Sequence, residues 1–207
     1  MNKRLYILGL LLIGLSLAYG LYYYDQLPDP MAVHLSFDNT PDRWQGKLST
    51  IWGLPVFFAA IETLMFFSAR QSPQVHPMMQ AISLLAVPVI GLVITMMMVQ
   101  FNLGADFSVR RGVLLLLGGL FLAIGNYLPK TPPNDFYGYR FPWTGRSPVV
   151  WAKTQRLGGY LFIGAGFLAL LAGITDMPAL MVLALIGIFV AAILPVVYAW
   201  RLDRQLS

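Results

Sequence analysis

The residues able to do proton, charge or metal chemistry in this 207-residue chain are few and unevenly placed. Glu62 is the lone acid inside an apolar run, six residues before that run ends at Ser68. An ionisable group at that depth costs several kcal/mol unless neutralised or paired, so Glu62 is either functional or a protonated acid bonded to a neighbouring helix. The two histidines, His34 and His76, lie in different segments, and there is no cysteine. A disulfide and a thiol nucleophile are thereby excluded, and a histidine-rich metal cage is not expected. No nucleophile stands beside a base, and no carboxylate pair shares a helix face. Catalytic, cofactor-binding and metal residues are therefore all expected to be none. One alternative stays open: a membrane-embedded enzyme or carrier in which Glu62 with Arg140, Lys130 or Asp135 handles a lipid-linked or anionic substrate. A carrier would need polar residues across several spans, and beyond Glu62 the runs hold only scattered Ser, Thr, Asn and Gln.

Two polar segments carry most of the remaining information. Residues 25–47 contain Pro28, Pro30, Pro41 and the pair Asp38-Asn39, which favour turns and a compact, ordered loop. His34, between Val33 and Leu35, fits a short strand, where its ring either packs inward, the default expectation, or faces a ligand. Asp42, Arg43 and Lys47 either bind a partner or pair with one another, and solvated pairing is the default. Residues 129–157 mix prolines and basic residues with Phe136, Tyr137, Tyr139, Phe141 and Trp143, a density of aromatics that argues against disorder. Ser147-Pro148 suits an N-cap and first helical position, starting a short basic helix through Trp151, Lys153 and Arg156 that leads into the next span. The competing readings of this loop are an aromatic and basic collar on membrane lipid and a site for a specific partner.

These segments must be positioned by lipid-soluble elements. Apolar residues make up 57% of the chain and charged ones 11%, with a mean hydropathy of +0.67. Six apolar runs, near Leu5 to Tyr24, Leu48 to Ser68, Met79 to Gln100, Gly112 to Leu128, Gly158 to Ile174 and Pro178 to Trp200, are each long enough to cross a bilayer as a helix. The expected fold is an all-α integral membrane protein with six spans, divided into a first region, 1–100, and a second, 101–207. The first run reads as a retained helix rather than a signal peptide. Lys and Arg number ten on the side holding the termini and four on the other, which places both termini and residues 129–157 in the cytoplasm and residues 25–47 outside. Six of the nine acids, Asp25, Asp29, Asp38, Asp42, Asp106 and Asp176, fall outside as well. Because the cations cluster between spans, the net charge of +5 implies membrane orientation rather than nucleic-acid binding. Pro55, Pro88 and Pro195 lie within runs, and each is expected to kink its helix unless a neighbour supplies the missing hydrogen bond. Gly112, Gly118, Gly119 and Gly125, with Gly159, Gly164, Gly166 and Gly173, suggest a closely packed helical hairpin between the fourth and fifth runs.

The stretch with Gly125-Asn126, Pro129-Lys130, Pro133-Asn134, Gly138, Arg140, Pro142-Trp143-Thr144, Trp151, Lys153-Thr154 and Arg156-Leu157-Gly158-Gly159 resembles the SdpI family of bacterial toxin-immunity membrane proteins. Leu27-Pro28, His34, Pro41-Asp42 and Lys47 are similar to the domain of unknown function 1648 found at the N-terminus of those proteins. Gln155, where the family pattern suggests a histidine, Gly145 in place of an apolar residue and Asn39 in place of a turn glycine depart from it. Asparagine tolerates the left-handed backbone such a turn needs. The resemblance implies a multi-pass protein of the bacterial plasma membrane. Such a protein protects its host from a secreted antimicrobial peptide and, in one scheme, holds a transcriptional repressor at the membrane when toxin is bound. It nominates Asn126, Lys130, Asn134, Arg140, Pro142, Trp143, Thr144, Trp151, Lys153 and Arg156 as partner-binding, and Pro28, His34, Pro41, Asp42 and Lys47 as toxin-facing, with Glu62 intramembrane.

Overall fold

The computed structural model describes residues 3–36, 39–69 and 76–206; Asp38 and Arg70, both counted above, lie outside them. Six helices in this structure are long and apolar enough to cross a membrane. They are α1 (Lys3–Tyr22), α2 (Lys47–Ala69), α3 (Pro77–Asn102), α4 (Val109–Tyr127), α6 (Pro148–Thr175) and α7 (Pro178–Leu206). A four-residue helix, α5 (Pro142–Gly145), precedes α6, and the strands β1 (Met31–Leu35) and β2 (Pro41–Gln45) separate α1 from α2. All six apolar runs are thus helices, and their ends move where capping overrides composition. α6 begins ten residues before its apolar run because Ser147 Oγ accepts the Val149 amide at 3.2 Å and Pro148 takes the first helical position. The basic segment expected as a short separate helix is therefore the first turns of one continuous span. α7 continues past Trp200 to Leu206, with the Arg204 guanidinium 4.1 Å from the Trp200 ring.

The chain packs as two compact units, one of residues Met1–Phe67 and Ser83–Val113, the other of Ser68–Ile82 and Leu114–Ser207. In the first, Leu27, Met31, Ile51 and Val99 form a buried cluster flanked by Tyr19, Tyr23 and Tyr24. β1 and β2 pair antiparallel, Met31 with Gln45 and Ala32 with Trp44, before the register shifts around His34. Asn102, at the end of α3, clasps this hairpin: its Oδ1 accepts the Ala32 amide at 2.8 Å and its Nδ2 donates to the Ala32 carbonyl at 2.9 Å. A two-stranded ribbon is marginal alone, and the clasp occupies backbone groups that face away from its partner strand. Asn39 takes φ = +68°, the left-handed turn expected of it, and its Oδ1 accepts the Val109 amide at 3.1 Å.

In the second unit, α4 and α6 approach through glycines seven residues apart, which is about two helical turns. Gly118 faces Gly166, and Gly125 faces Gly159, an antiparallel pairing so close that a Cβ on either member of a pair would lie 2.7 to 2.9 Å from the opposing backbone carbonyl oxygen. The expected seam is therefore real but narrower than the glycine count suggests. Gly119 and Gly164 face open space, and Gly112 packs against Met97 of α3 in the first unit. A residue at Gly159 larger than hydrogen must displace backbone rather than a side-chain tip. Gly159→Val is accordingly expected to cost about 3 kcal/mol or more and to lower the thermal midpoint of the purified protein, whereas Gly164→Ala should leave it unchanged or slightly raised.

Candidate functional site

Residues 129–157 form an ordered structure built on a few polar side chains. Asn134 folds the first turn back on itself, its Oδ1 accepting the amides of Phe136 and Tyr137 at 2.8 and 2.6 Å and its Nδ2 donating to the Pro132 carbonyl at 2.8 Å. Gly138 follows with φ = +96°, a conformation that L side chains rarely adopt, and a Cβ there would also lie 2.5 Å from Gln155 Oε1. That contact exists because Gln155, wholly buried on α6, holds the next residue by both backbone groups. Its Oε1 accepts the Tyr139 amide at 3.0 Å and its Nε2 donates to the Tyr139 carbonyl at 3.1 Å. The Tyr139 ring then lies on Gly158, where any Cβ would collide with it, and its hydroxyl donates to the Ala191 carbonyl of α7. Ala191 is four residues before Pro195, so its carbonyl is the one that proline leaves without a helical donor. The neighbour that compensates this proline is therefore a loop tyrosine. Burial pushes the Tyr139 hydroxyl up to about 12, which keeps it a neutral donor.

The second half of the loop is tied down in the same manner. Trp151, buried on α6, donates its indole N–H to the Thr131 carbonyl at 2.8 Å. Thr144, also buried, accepts the Phe141 amide at 2.8 Å and returns a bond to the Phe141 carbonyl at 2.9 Å, closing α5. Trp143 stacks on Phe141 with ring centroids 5.2 Å apart, and packs beside the cluster of Val150, Ala199 and Leu202. Arg146 reaches Asp203 of α7 at 2.9 Å; the acid is nearly buried and the guanidinium largely exposed.

The nominated partner residues therefore divide by burial. Asn134, Thr144 and Trp151 are spent on internal hydrogen bonds, as is Arg140 in part, since its Nη1 donates to the Asp135 carbonyl. Asn126, Lys130, Arg140, Pro142, Lys153 and Arg156 are exposed, and Lys130 lies 4.5 Å over the Tyr127 ring. Sequence reasoning missed Tyr139, Gln155 and Asp203 as organisers. The signal for Tyr139 was the need of Pro195 for an outside donor; spacing alone does not pair Arg146 with Asp203, fifty-seven residues away.

On the hairpin, His34 does not pack inward. Its side chain is 59% exposed and its Nδ1 lies 2.6 Å from Asp42 Oδ1, so the strand alternation turns the ring outward, where the carboxylate meets it. Asp42 thus pairs across the hairpin with His34, and Lys47 is engaged elsewhere, its Nζ donating to the Leu27 carbonyl at 3.2 Å and lying 4.5 Å from the Tyr24 ring. Pro28 is exposed and Pro41 half-buried. Glu62 is fully buried in the first unit. Groups of three or more potential metal ligands are absent among the described residues.

Residues 130–199 match the model of the SdpI/YfhL protein family, and residues 11–59 match the domain of unknown function 1648. These matches fall on the two segments whose residues resemble the same two families in sequence. No curated protein and no solved structure matches it. The SdpI/YfhL match begins at Lys130 and ends in α7, so it encloses Asn134, Gln155, Ala191 and Pro195. Six helices long and apolar enough to cross a membrane, with the SdpI/YfhL match, indicate a multi-pass membrane protein. Neither match is described as an enzyme.

Two outcomes test this architecture. Tyr139→Phe leaves the Ala191 carbonyl buried without a donor and should cost about 1–3 kcal/mol, while in a Pro195→Ala background, where the helix supplies its own donor, most of that cost should vanish. A thermal double-mutant cycle measures this. The raised Tyr139 hydroxyl also fixes a sign: the contribution is whole below pH 10, its unperturbed value, and is lost as pH rises through about 12. The thermal midpoint should fall across that window by more in the parent than in Tyr139→Phe.

Proposed function

We propose that this protein gives its host resistance to a secreted antimicrobial peptide from the bacterial plasma membrane, with both termini cytoplasmic. What supports this reading is the SdpI/YfhL match over a loop that the chain spends many buried hydrogen bonds to hold in one shape. Such ordering exceeds what an anchor requires, because a loop of this length between spans is ordinarily free to vary. In this reading the hairpin of residues 31–45, with Pro28, His34, Pro41, Asp42 and Lys47, meets the peptide toxin outside. The exposed Asn126, Lys130, Arg140, Pro142, Lys153 and Arg156, with Trp143 beside them, form the cytoplasmic surface that a repressor protein or anionic lipid contacts. A signalling role requires two states of the protein with different toxin affinity, since a ligand shifts an equilibrium only by its differential binding. No chemistry on the toxin is involved.

Survival of a toxin-sensitive bacterium challenged with an SDP-type peptide tests the proposal. The parent should restore growth, and Trp143→Ala and Arg140→Ala, at equal membrane abundance, should return survival to the level of cells without the protein. Failure of the parent at verified membrane levels overturns resistance to this peptide.

A further inference from the structure

The first unit contains a group that neither family match covers and the immunity reading does not use. Glu62 on α2 has no exposed surface, and neither carboxyl oxygen has a hydrogen-bond partner. Its setting is defined by two neighbours. Glu62 Oε1 and Pro88 Cγ of α3 lie 2.9 and 3.3 Å from one point, the position a Cβ on Gly9 of α1 would occupy. The carboxyl therefore fits between α1 and the proline of α3 because residue 9 has no side chain. Titratable and charged groups on these helices are sparse. α3 has none, α2 has only Lys47 at its first residue, and α1 has Lys3 and Arg4 at an exposed end, Tyr19 and Tyr22 at the other, and Tyr6. Tyr6, one turn before Gly9, is 3.1 Å from Thr63 Oγ1 through its hydroxyl.

An uncompensated carboxylate so placed costs several kcal/mol, and among the described residues no cation is hydrogen-bonded to it. A metal ion is a poor occupant, since hard cations take about six oxygen ligands and the defined neighbours present carbon. We propose that Glu62 is a proton-binding site within the membrane, occupied in the resting protein, with the proton carried on the carboxyl between Gly9 and Pro88. The same logic operates in the second unit, where a neutral hydroxyl serves a carbonyl orphaned by a proline. Pro88 likewise leaves the buried Leu84 carbonyl, one turn earlier on α3, without a helical donor. A protonated carboxyl needs no cation beside it in such a site, as a carboxylate would. Release of the proton requires α1 to leave α2 at Gly9 so that water can replace the lost compensation, which makes the protonation state a reporter of how this unit is packed.

Infrared difference spectra of the full chain in phosphatidylcholine vesicles at pH 7.5, parent minus Glu62→Gln, test the site without reference to any toxin. A carboxylic-acid C=O band in the parent, absent from the variant and shifted in D2O, is expected. Carboxylate bands at Glu62 in place of that band overturn the proposal. Glu62→Gln keeps shape and neutrality and should leave the thermal midpoint within a few degrees of the parent; Glu62→Lys, at the same buried position, should lose most of the folded protein. A midpoint for Glu62→Gln as low as that of Glu62→Lys would show that the charge itself is needed and would also overturn the proposal.

Discussion

The second unit depends on one carbonyl. Pro195 sits in the interior of α7, and a proline there removes the amide that would bond to Ala191. In lipid no water is at hand to replace it, so some other donor must. That donor is the hydroxyl of Tyr139, and almost everything distinctive about residues 129–157 follows from delivering it. Gly158 is open so that the ring can lie against α6; Gln155 is an amide so that one side chain can hold both backbone groups of Tyr139; Gly138 supplies the backbone turn that brings the tyrosine round. The result inverts the usual relation between a scaffold and its loop. The span needs the loop to complete its hydrogen bonding, so disturbing the loop disturbs the helix.

This reciprocity bears on Gln155. In the sequence it is a departure from the family pattern, which suggests a histidine at that position. In the fold it is a structural part whose two functional atoms, an acceptor and a donor on one planar amide, match the two groups that a peptide backbone presents on one edge. A neutral imidazole also carries one donor and one acceptor, but its two nitrogens point in divergent directions, so it would serve one backbone group and leave the other. The charge-neutral character of the clasp also suits its wholly buried position.

The spans were legible because length and apolar composition decide them, and lipid allows few alternatives. The turn at Asn39 and the cap at Ser147 were legible because each is a local backbone demand met by one residue type. What was not legible depends on pairing over long sequence separation. From sequence the His34 ring is expected to pack inward; Asp42, eight residues away across the hairpin, meets it outside instead. The glycines of α4 and α6 are equivalent in sequence, yet Gly118, Gly125, Gly159 and Gly166 meet across the seam while Gly119 and Gly164 face open space, because a helix turns each position to a different side. Of the nominated partner residues, sequence could not separate Trp151 and Thr144, which hold the loop, from Lys153 and Arg156, which it leaves outside, because aromatic and hydroxyl side chains suit both tasks.

That division changes what a loss of function at this loop would mean. A residue whose polar atoms are all engaged inward has nothing left to offer a partner, and removing it acts through the shape of the loop. An exposed cation with a mobile stem adds little to the fold, since surface charges contribute roughly 0–1 kcal/mol, and removing it acts on whatever it touches. Arg140 falls between these cases. It is exposed, yet it donates to the Asp135 carbonyl and so helps close the turn that begins at Asn134. Lys153 and Arg156 are the cleaner probes of a partner: three residues apart on α6, they lie on neighbouring positions of one exposed face, while Thr154 and Gln155 between them point into the unit. The same few turns of helix thus carry a structural face and a free basic face, and any contact with a cytoplasmic partner must be made by the second without withdrawing the first.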